Sequence, residues 1–199
     1  MTSQVLVREF VFHWDLGKIL VRIGHKSGLN SASSSLLGVM REVEAKLHSL
    51  LRPQGVYVVI GPDETNRHPI FNHALLVALG VITAGPGLEE ESERAFQAGD
   101  MLKGLILDAF GTEAAVQVFR TVERKIVEEA YARGLWPSRR FSPGYKGWPL
   151  EEQGFLFSKV DAAAIGVRLN ASFMMIPRKS NSFRINFYAD RCLTTRRLK

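Results

Sequence analysis

A single cysteine, Cys192, stands in a chain of 199 residues. No intramolecular disulfide can form, and nothing calls for an oxidising compartment. No apolar run approaches the roughly 18 residues of a membrane helix; the longest, Ala74 to Ala84, falls well short. The start, Met1-Thr2-Ser3-Gln4, lacks the charged residues and apolar block of a signal peptide, so a cytoplasmic location is expected. Metal spacing is missing too. The five histidines have no cysteine beside them and form no His-x-x-x-His pair on an expected helix. His68 and His73, flanking a proline-containing loop, come nearest. A nucleophile is equally lacking: Cys192 sits in a basic tail without an ordered base, so no catalytic residue is assigned.

What remains is an ordinary globular composition, 46% hydrophobic and 23% charged, enough for one domain with a sizeable core. Residues 1–190 read as that domain and 191–199 as a basic tail. The net charge of +6 is uneven. Arg133 to Lys199 holds 13 Lys and Arg against 4 Asp and Glu, or +9; the other 132 residues hold 13 against 16, or −3. A basic C-terminal third favours an acidic partner: a phosphate-bearing ligand, an acidic protein face or nucleic acid.

Along the chain, Val5 to Trp14 reads as a strand, and Asp15 caps a short helix to Ile23. Gly24 to Ser35 is a loop. Apolar residues at Leu36, Val39, Met40, Val43, Leu47, Leu50 and Leu51 have helical spacing, ended by Arg52-Pro53. Val56 to Ile60 is a strand, Asp63 to Pro69 a polar loop, and Ala74 to Thr83 an apolar run ending in a buried strand. Asp100 caps a helix whose inner face is Met101, Leu102, Leu105, Ile106 and Ala109; Gly111 breaks it and Thr112 caps the next. That next helix, Glu113 to Arg133, buries Ala115, Val118, Phe119, Val122, Ile126 and Ala130, and stops at Gly134. Leu150 to Val160 is helical, with Phe155, Leu156 and Val160 inward. Three short strands follow: Ile165 to Asn170, Ser172 to Ile176 and Arg184 to Tyr188. Closely spaced strands at the end favour hairpin neighbours. The fold class is α+β, several helices packed on a twisted antiparallel sheet in one domain.

Two stretches invite a ligand. The first is Gly85-Pro86-Gly87 after a strand and before a helix, which imitates the entry of a Rossmann unit. Its third glycine is absent, and Glu89-Glu90-Glu91 in the first helical turn would repel a pyrophosphate. The second is Arg139-Arg140-Phe141-Ser142-Pro143-Gly144-Tyr145, continuing to Trp148-Pro149. Pro143 fixes its own φ and Gly144 admits a positive φ, so the backbone turns there. A guanidinium beside a phenol and open backbone suits a ligand with a carboxylate and a flat ring.

Arg140-x-x-x-Gly144-Tyr145, led in by a long helix and followed by Trp-Pro, resembles the activation domain of cobalamin-dependent methionine synthase. Ala98-Gly99-Asp100-Met101 through Leu107-Asp108-Ala109-Phe110-Gly111-Thr112 is similar to free-standing versions of that domain. Ala171 to Ser182 is similar to the family's Met-x-Pro-x-x-Ser-x-Ser segment. The resemblance implies the fold of that domain and S-adenosylmethionine (AdoMet) as ligand. Arg140 would hold the AdoMet carboxylate, Tyr145 would lie against the ligand, and Phe141, Ser142 and Pro143 would offer backbone groups. The family's acid for the α-amino group falls nearest Gln117, with Glu113 one turn earlier. Phe183 replaces the glycine that usually follows Ser-x-Ser, and only Cys192 remains of the relatives' C-terminal cysteines. The implied role is accessory to methionine biosynthesis: reactivation of a partner methyltransferase that carries cobalamin, with an electron donor such as a flavodoxin or ferredoxin. This chain has no cobalamin-binding histidine motif, so the corrinoid would sit on the partner.

Two other classes compete. A nucleic-acid-binding protein would use the basic third with Phe141, Tyr145, Trp148, Phe183, Phe187 and Tyr188 interleaved. A self-sufficient AdoMet-dependent methyltransferase would need the glycine-rich entry that Gly85-Pro86-Gly87 supplies poorly.

Overall fold

The structure is a computed structural model that describes residues 3–25, 31–65, 71, 74–145 and 147–191. His68, His73, Lys146, Cys192 and the rest of the basic tail lie outside the described residues.

Strand β3 (Leu76–Thr83) reads LVALGVIT and has no polar face, so both its faces must be covered. It is the centre of a five-stranded sheet with β1 (Gln4–Val7), β2 (Gln54–Ile60), β4 (Trp136–Pro137) and β7 (Ser180–Tyr188). The order is β1-β2-β3-β7-β4, antiparallel throughout. On one face Ala78, Ile82, Phe183 and Ile185 meet Val118, Val122, Ile126 and Ala130 of α5 (Met101–Ala132). On the other, Val56, Val58, Leu79 and Val81 meet Trp148, Leu156, Val160 and Ile165. These come from the loop after β4, from α6 (Gln153–Lys159) and from a short 3-10 turn at Ala162–Ile165. A third cluster joins α1 (Leu16–Arg22), α2 (Ser34–Leu50), α4 (Gly87–Gln97) and the first half of α5. The one-turn α3 (Pro62–Thr65), a 3-10 turn at Leu150–Glu152 and a separate hairpin of β5 (Arg168–Leu169) and β6 (Met175–Ile176) also belong to the described elements. The expected α+β class, helices on an antiparallel sheet, is the observed one.

The expected ends hold at several caps. Asp15 accepts from Lys18 N–H to start α1, and Asp100 from Lys103 N–H to start α5. Five expectations fail. The first strand is four residues long, not ten; Phe12 and Trp14 leave the sheet edge and stack on each other, with Trp14 edge-on to Phe110 of α5. The break at Gly111 does not occur, and one helix of 32 residues runs through it. Gly111 is there for room: a Cβ would lie 3.1 Å from Cε of Lys179, whose stem crosses the helix at that point. Thr112, expected as a cap, donates back to the Asp108 carbonyl instead. The inner line of this segment runs through Ile106, Leu107, Phe110 and Ala114, while Met101, Leu102 and Leu105 are exposed. Of the last three strands, the first two shrink to a two-stranded hairpin, and the third lengthens to nine residues beside β3.

The sheet has no parallel pair, so the glycines before α4 do not open a Rossmann unit. They are packing glycines. A Cβ on Gly87 would lie 2.4 Å from the Leu50 carbonyl oxygen, and one on Gly85 would lie 3.0 Å from the Arg52 nitrogen. No helix among the described residues is long and apolar enough to cross a membrane.

Tyr57 of β2 lies under the last turns of α5 and donates to Glu129 Oε2 at 3.1 Å. Burial, and then the Glu129 carboxylate, push its phenol up from 10.0 to about 12. The folded state therefore keeps this proton where the unfolded chain loses it, so stability falls as pH rises from 10 to 12. Denaturant titrations across that range should show the loss in wild type and a flatter profile in Tyr57→Phe. An unchanged profile in the variant would assign the alkaline loss to other groups.

Candidate functional site

The Arg140 loop is built by strand pairing that slips by one residue. Trp136 and Pro137 face Tyr188 and Phe187, and Ser138 N–H donates to the Asn186 carbonyl. The pairing resumes with Phe141, whose N–H and carbonyl exchange bonds with Arg184 at 3.0 and 2.8 Å. Arg139 and Arg140 therefore stand opposite Ile185 alone, two residues against one. That is a β-bulge, the device that re-aims side chains at sheet edges. The next residue, Phe141, falls on the Arg184 face, while Arg140 falls on the α5 face.

On that face the Arg140 guanidinium lies over the Phe119 ring, 4.2 Å from its centre. Phe119 is braced edge-on by Phe183 at 4.9 Å. The departure at Phe183 thus supports the ring beneath Arg140, and Gly80 makes space for it, since a Cβ there would lie 2.5 Å from Phe183 Cζ. Glu123, one turn beyond Phe119, stands 3.9 Å from Arg140, beyond hydrogen-bond reach.

Arg140 is at the rim of a cleft of about 230 Å³. Thr112, Ala115, Val116 and Phe119 of α5 form one wall; Lys179, Ser180 and Asn181 at the start of β7 form the other. Lys179 is fixed by Asp108 at 2.7 Å and Thr112 at 2.9 Å. Arg178 also lines the cleft and is held by Glu89 and Glu93 of α4 at 3.1 and 2.9 Å. The acidic first turn of α4 thus meets a cation of its own chain. Arg178 and Ser180 also line a second hollow, of about 620 Å³, with Met174, Met175 and Ile176. A third, of about 430 Å³ along α1, is lined by Asp15, Gly17, Lys18, Val21 and Arg22 and shares no lining residue with these two.

The expected site residues separate into three groups. Arg140 lines the cleft, and Ser142 reaches its wall by donating to Asn181 Oδ1 at 3.4 Å. Pro143 is buried, and Gly144 has φ +89°, the left-handed region expected of it. Gly144 N–H donates to the Trp148 carbonyl at 2.7 Å, which closes the turn. Tyr145, on that turn, is 71% exposed and is not among the cleft residues. The helix positions have other work. Glu113 is buried against Arg22 of α1 at 2.7 Å. Gln117 gives both ends of its amide to the His13 backbone, tying residues 8–14 to α5. The acid of α5 that stands beside Arg140 is Glu123, and it lies on the Thr112, Val116, Phe119 stripe at helical spacing.

The stacking platform of the nucleic-acid reading is not presented. Trp148, Phe183, Phe187 and Tyr188 are all buried in the core. Part of the basic third is also paired or buried in place. Arg133, Lys159, Arg178 and Lys179 are ion-paired, and Arg184 is buried. Among the described residues no group of three or more His, Cys, Asp or Glu could hold a metal ion.

No protein-family model and no curated protein sequence matches the chain. Solved structures do match. One is the MetH reactivation domain bound to AdoHcy, with a TM-score of 0.69 and 15% identity over 96% of this chain and 79% of that one. The chain therefore has the fold of a methionine synthase reactivation domain, as the loop resemblance implied.

Arg22→Met tests the structural role of Glu113. It leaves a buried carboxylate without its cation, at a cost on the order of 3 kcal/mol. Urea denaturation measures it, and undiminished stability would release Glu113 from this role.

Proposed function

We propose that this protein binds AdoMet, or its demethylated product, in the cleft between α5 and β7, and presents it to a corrinoid-bearing methyltransferase. The observation that carries the reading is Arg140: a bulge aims it into the cleft, the Phe119 face fixes it, and its hydrogen-bonding edge is left for a carboxylate. The fold shared with a domain solved with AdoHcy supports the same ligand class.

The charges suit an α-amino acid group. Its carboxylate would pair with Arg140 and its ammonium with Glu123, two opposite charges already 3.9 Å apart. The cleft of about 230 Å³ is below the roughly 300 Å³ at which pockets enclose whole small molecules, so it takes the amino acid end. The adjoining hollow offers apolar contact from Met174, Met175 and Ile176 for the rest, beside the polar groups of Glu89, Glu93 and Asn170. Arg178 and Ser180 line both hollows where the two meet, and Asn181 adds a polar group on the cleft side.

Cobalamin bound to the partner supplies the methyl-accepting cobalt, and an electron donor such as a flavodoxin or ferredoxin supplies the reducing electron. This chain's part is to hold the methyl donor and orient it. A cleft too small to enclose the whole ligand suits hand-over to a second protein better than enclosed catalysis. A nucleic-acid role has less support, since four of the six aromatic residues that would stack on bases, Trp148, Phe183, Phe187 and Tyr188, are in the core.

Calorimetric titration with AdoMet and AdoHcy should show binding to wild type. Arg140→Ala should lose a charge-assisted contact of about 1.5–3 kcal/mol, or roughly tenfold to a hundredfold in affinity. Equal affinities, or no binding to wild type, would overturn the reading.

The partner role is tested separately. The protein alone should turn over little AdoMet. With a corrinoid methyltransferase and a reductant it should yield methylcobalamin, seen as a change in corrinoid absorption. Association should slow as salt rises past about 0.15 M, where the screening length is roughly 8 Å. Methylation of a small acceptor without any corrinoid would end the accessory role.

A further inference from the structure

Arg184, at the middle of β7, is one of the largest fully buried side chains of the protein, 1% exposed. Burial draws its guanidinium down from the usual arginine range to about 10, the mark of a cation placed where water is scarce. Burying a charge here is costly, and an apolar side chain would suit the surrounding core. Among the contacts of the arginine are two ring faces. Its guanidinium lies 4.7 Å from the centre of Phe141 and 5.1 Å from that of Trp148. Both rings belong to the loop that carries Arg140, one near each end. Trp148 is 2% exposed, and its indole N–H finds no acceptor among the described residues, so its ring face and packing hold it.

The main chain of Arg184 grips the same loop. Its N–H and carbonyl complete the bridge to Phe141 that closes the bulge. Nη1 donates to Asn186 Oδ1 at 3.0 Å, and Asn186 N–H donates in turn to Ser138 Oγ, where the bulge begins. A flat cation contacts Phe141 and Trp148 together, which a lysine or an aliphatic side chain at 184 would do less well.

We propose that Arg184 is the positioning residue of the ligand loop: stacked against Phe141 and Trp148, it fixes the bulge in the form that aims Arg140 into the cleft. It touches no ligand and acts through the loop. The ligand part of this inference rests on the proposed function; the loop part does not.

Limited trypsin digestion of Arg184→Met, Arg184→Lys and Phe141→Leu tests it, beside AdoMet titration and thermal melts. The loop carries its own reporters, the peptide bonds after Arg139 and Arg140. Losing the stack should raise cleavage there by about tenfold to a hundredfold. Cleavage within α5, after Arg120, Arg124 and Lys125, should stay as in wild type. AdoMet affinity should fall roughly tenfold in Arg184→Met and less in Arg184→Lys. Unchanged cleavage at Arg139 and Arg140 would overturn the proposal. So would a uniform rise that includes the α5 bonds, since that reports global destabilisation. If wild type binds no AdoMet, the proposed function falls, and the loop cleavage alone decides whether Arg184 holds the loop.

Discussion

Strand β7 is buried on both faces, and the two faces differ in kind. Phe183, Ile185 and Phe187 form an apolar row against α5; Ser182, Arg184 and Asn186 form a polar row beneath the Arg140 loop and α6. Each member of the polar row must find partners inside the protein. Ser182 donates to Gln153 of α6, and Asn186 donates to the Phe71 carbonyl and to Tyr188. Arg184 takes the ring faces of Phe141 and Trp148. An apolar strand would let the covering segments slide, whereas specific partners fix where the loop crosses. The position of Arg140 follows from that register, because the bulge starts at Ser138 and closes at Phe141, both bonded to this strand.

How much of this was legible in the sequence depends on the range of each interaction. The apolar periodicity of α2, the all-apolar β3 and the Asp15 and Asp100 caps are local signals, and they led to the right elements. The Arg140 loop stood out by its composition as a candidate, and the structure sets Arg140 along a cleft. The bulge was not, since it depends on pairing with a strand some 45 residues downstream. Gly111 and Gly87 show the same limit in the other direction. Each looks like a breaker or a ligand glycine from its neighbours alone, yet each is small to admit a distant group, the Lys179 stem in one case and the Leu50 carbonyl in the other.

Glu113 and Gln117 carry a related lesson about long helices. A residue type fit to hold a ligand is equally fit to hold another part of the chain, and spacing does not say which. Glu113 lies on the side of α5 that faces α1, and Gln117 on the side that faces the segment after β1. Both are therefore spent on tertiary contacts. Glu123 lies beyond those neighbours and beside the loop. Its spacing from Thr112, Val116 and Phe119 was visible in the sequence, but the direction of that stripe became visible only once the cleft placed Arg140 over Phe119.

A half-exposed arginine on an aromatic face sets a scale for what the cleft can do. Charge pairs open to water gain little, because solvent competes for both partners, so Arg140 makes its full contribution only where the bound ligand itself covers the contact. A zwitterion held between Arg140 and Glu123 would draw its affinity from geometry and from apolar contact in the neighbouring hollow, not from charge alone. That favours modest binding with rapid exchange. An enzyme that must close around its substrate gains nothing from such a site. A module that lends a ligand to a second protein does, because the partner can complete the enclosure and so contribute the remaining binding energy in the complex. The rigidity of the loop then matters more than its affinity. If Arg140 is fixed before the partner arrives, the encounter does not have to order the loop as well, and the entropy of that ordering does not oppose docking.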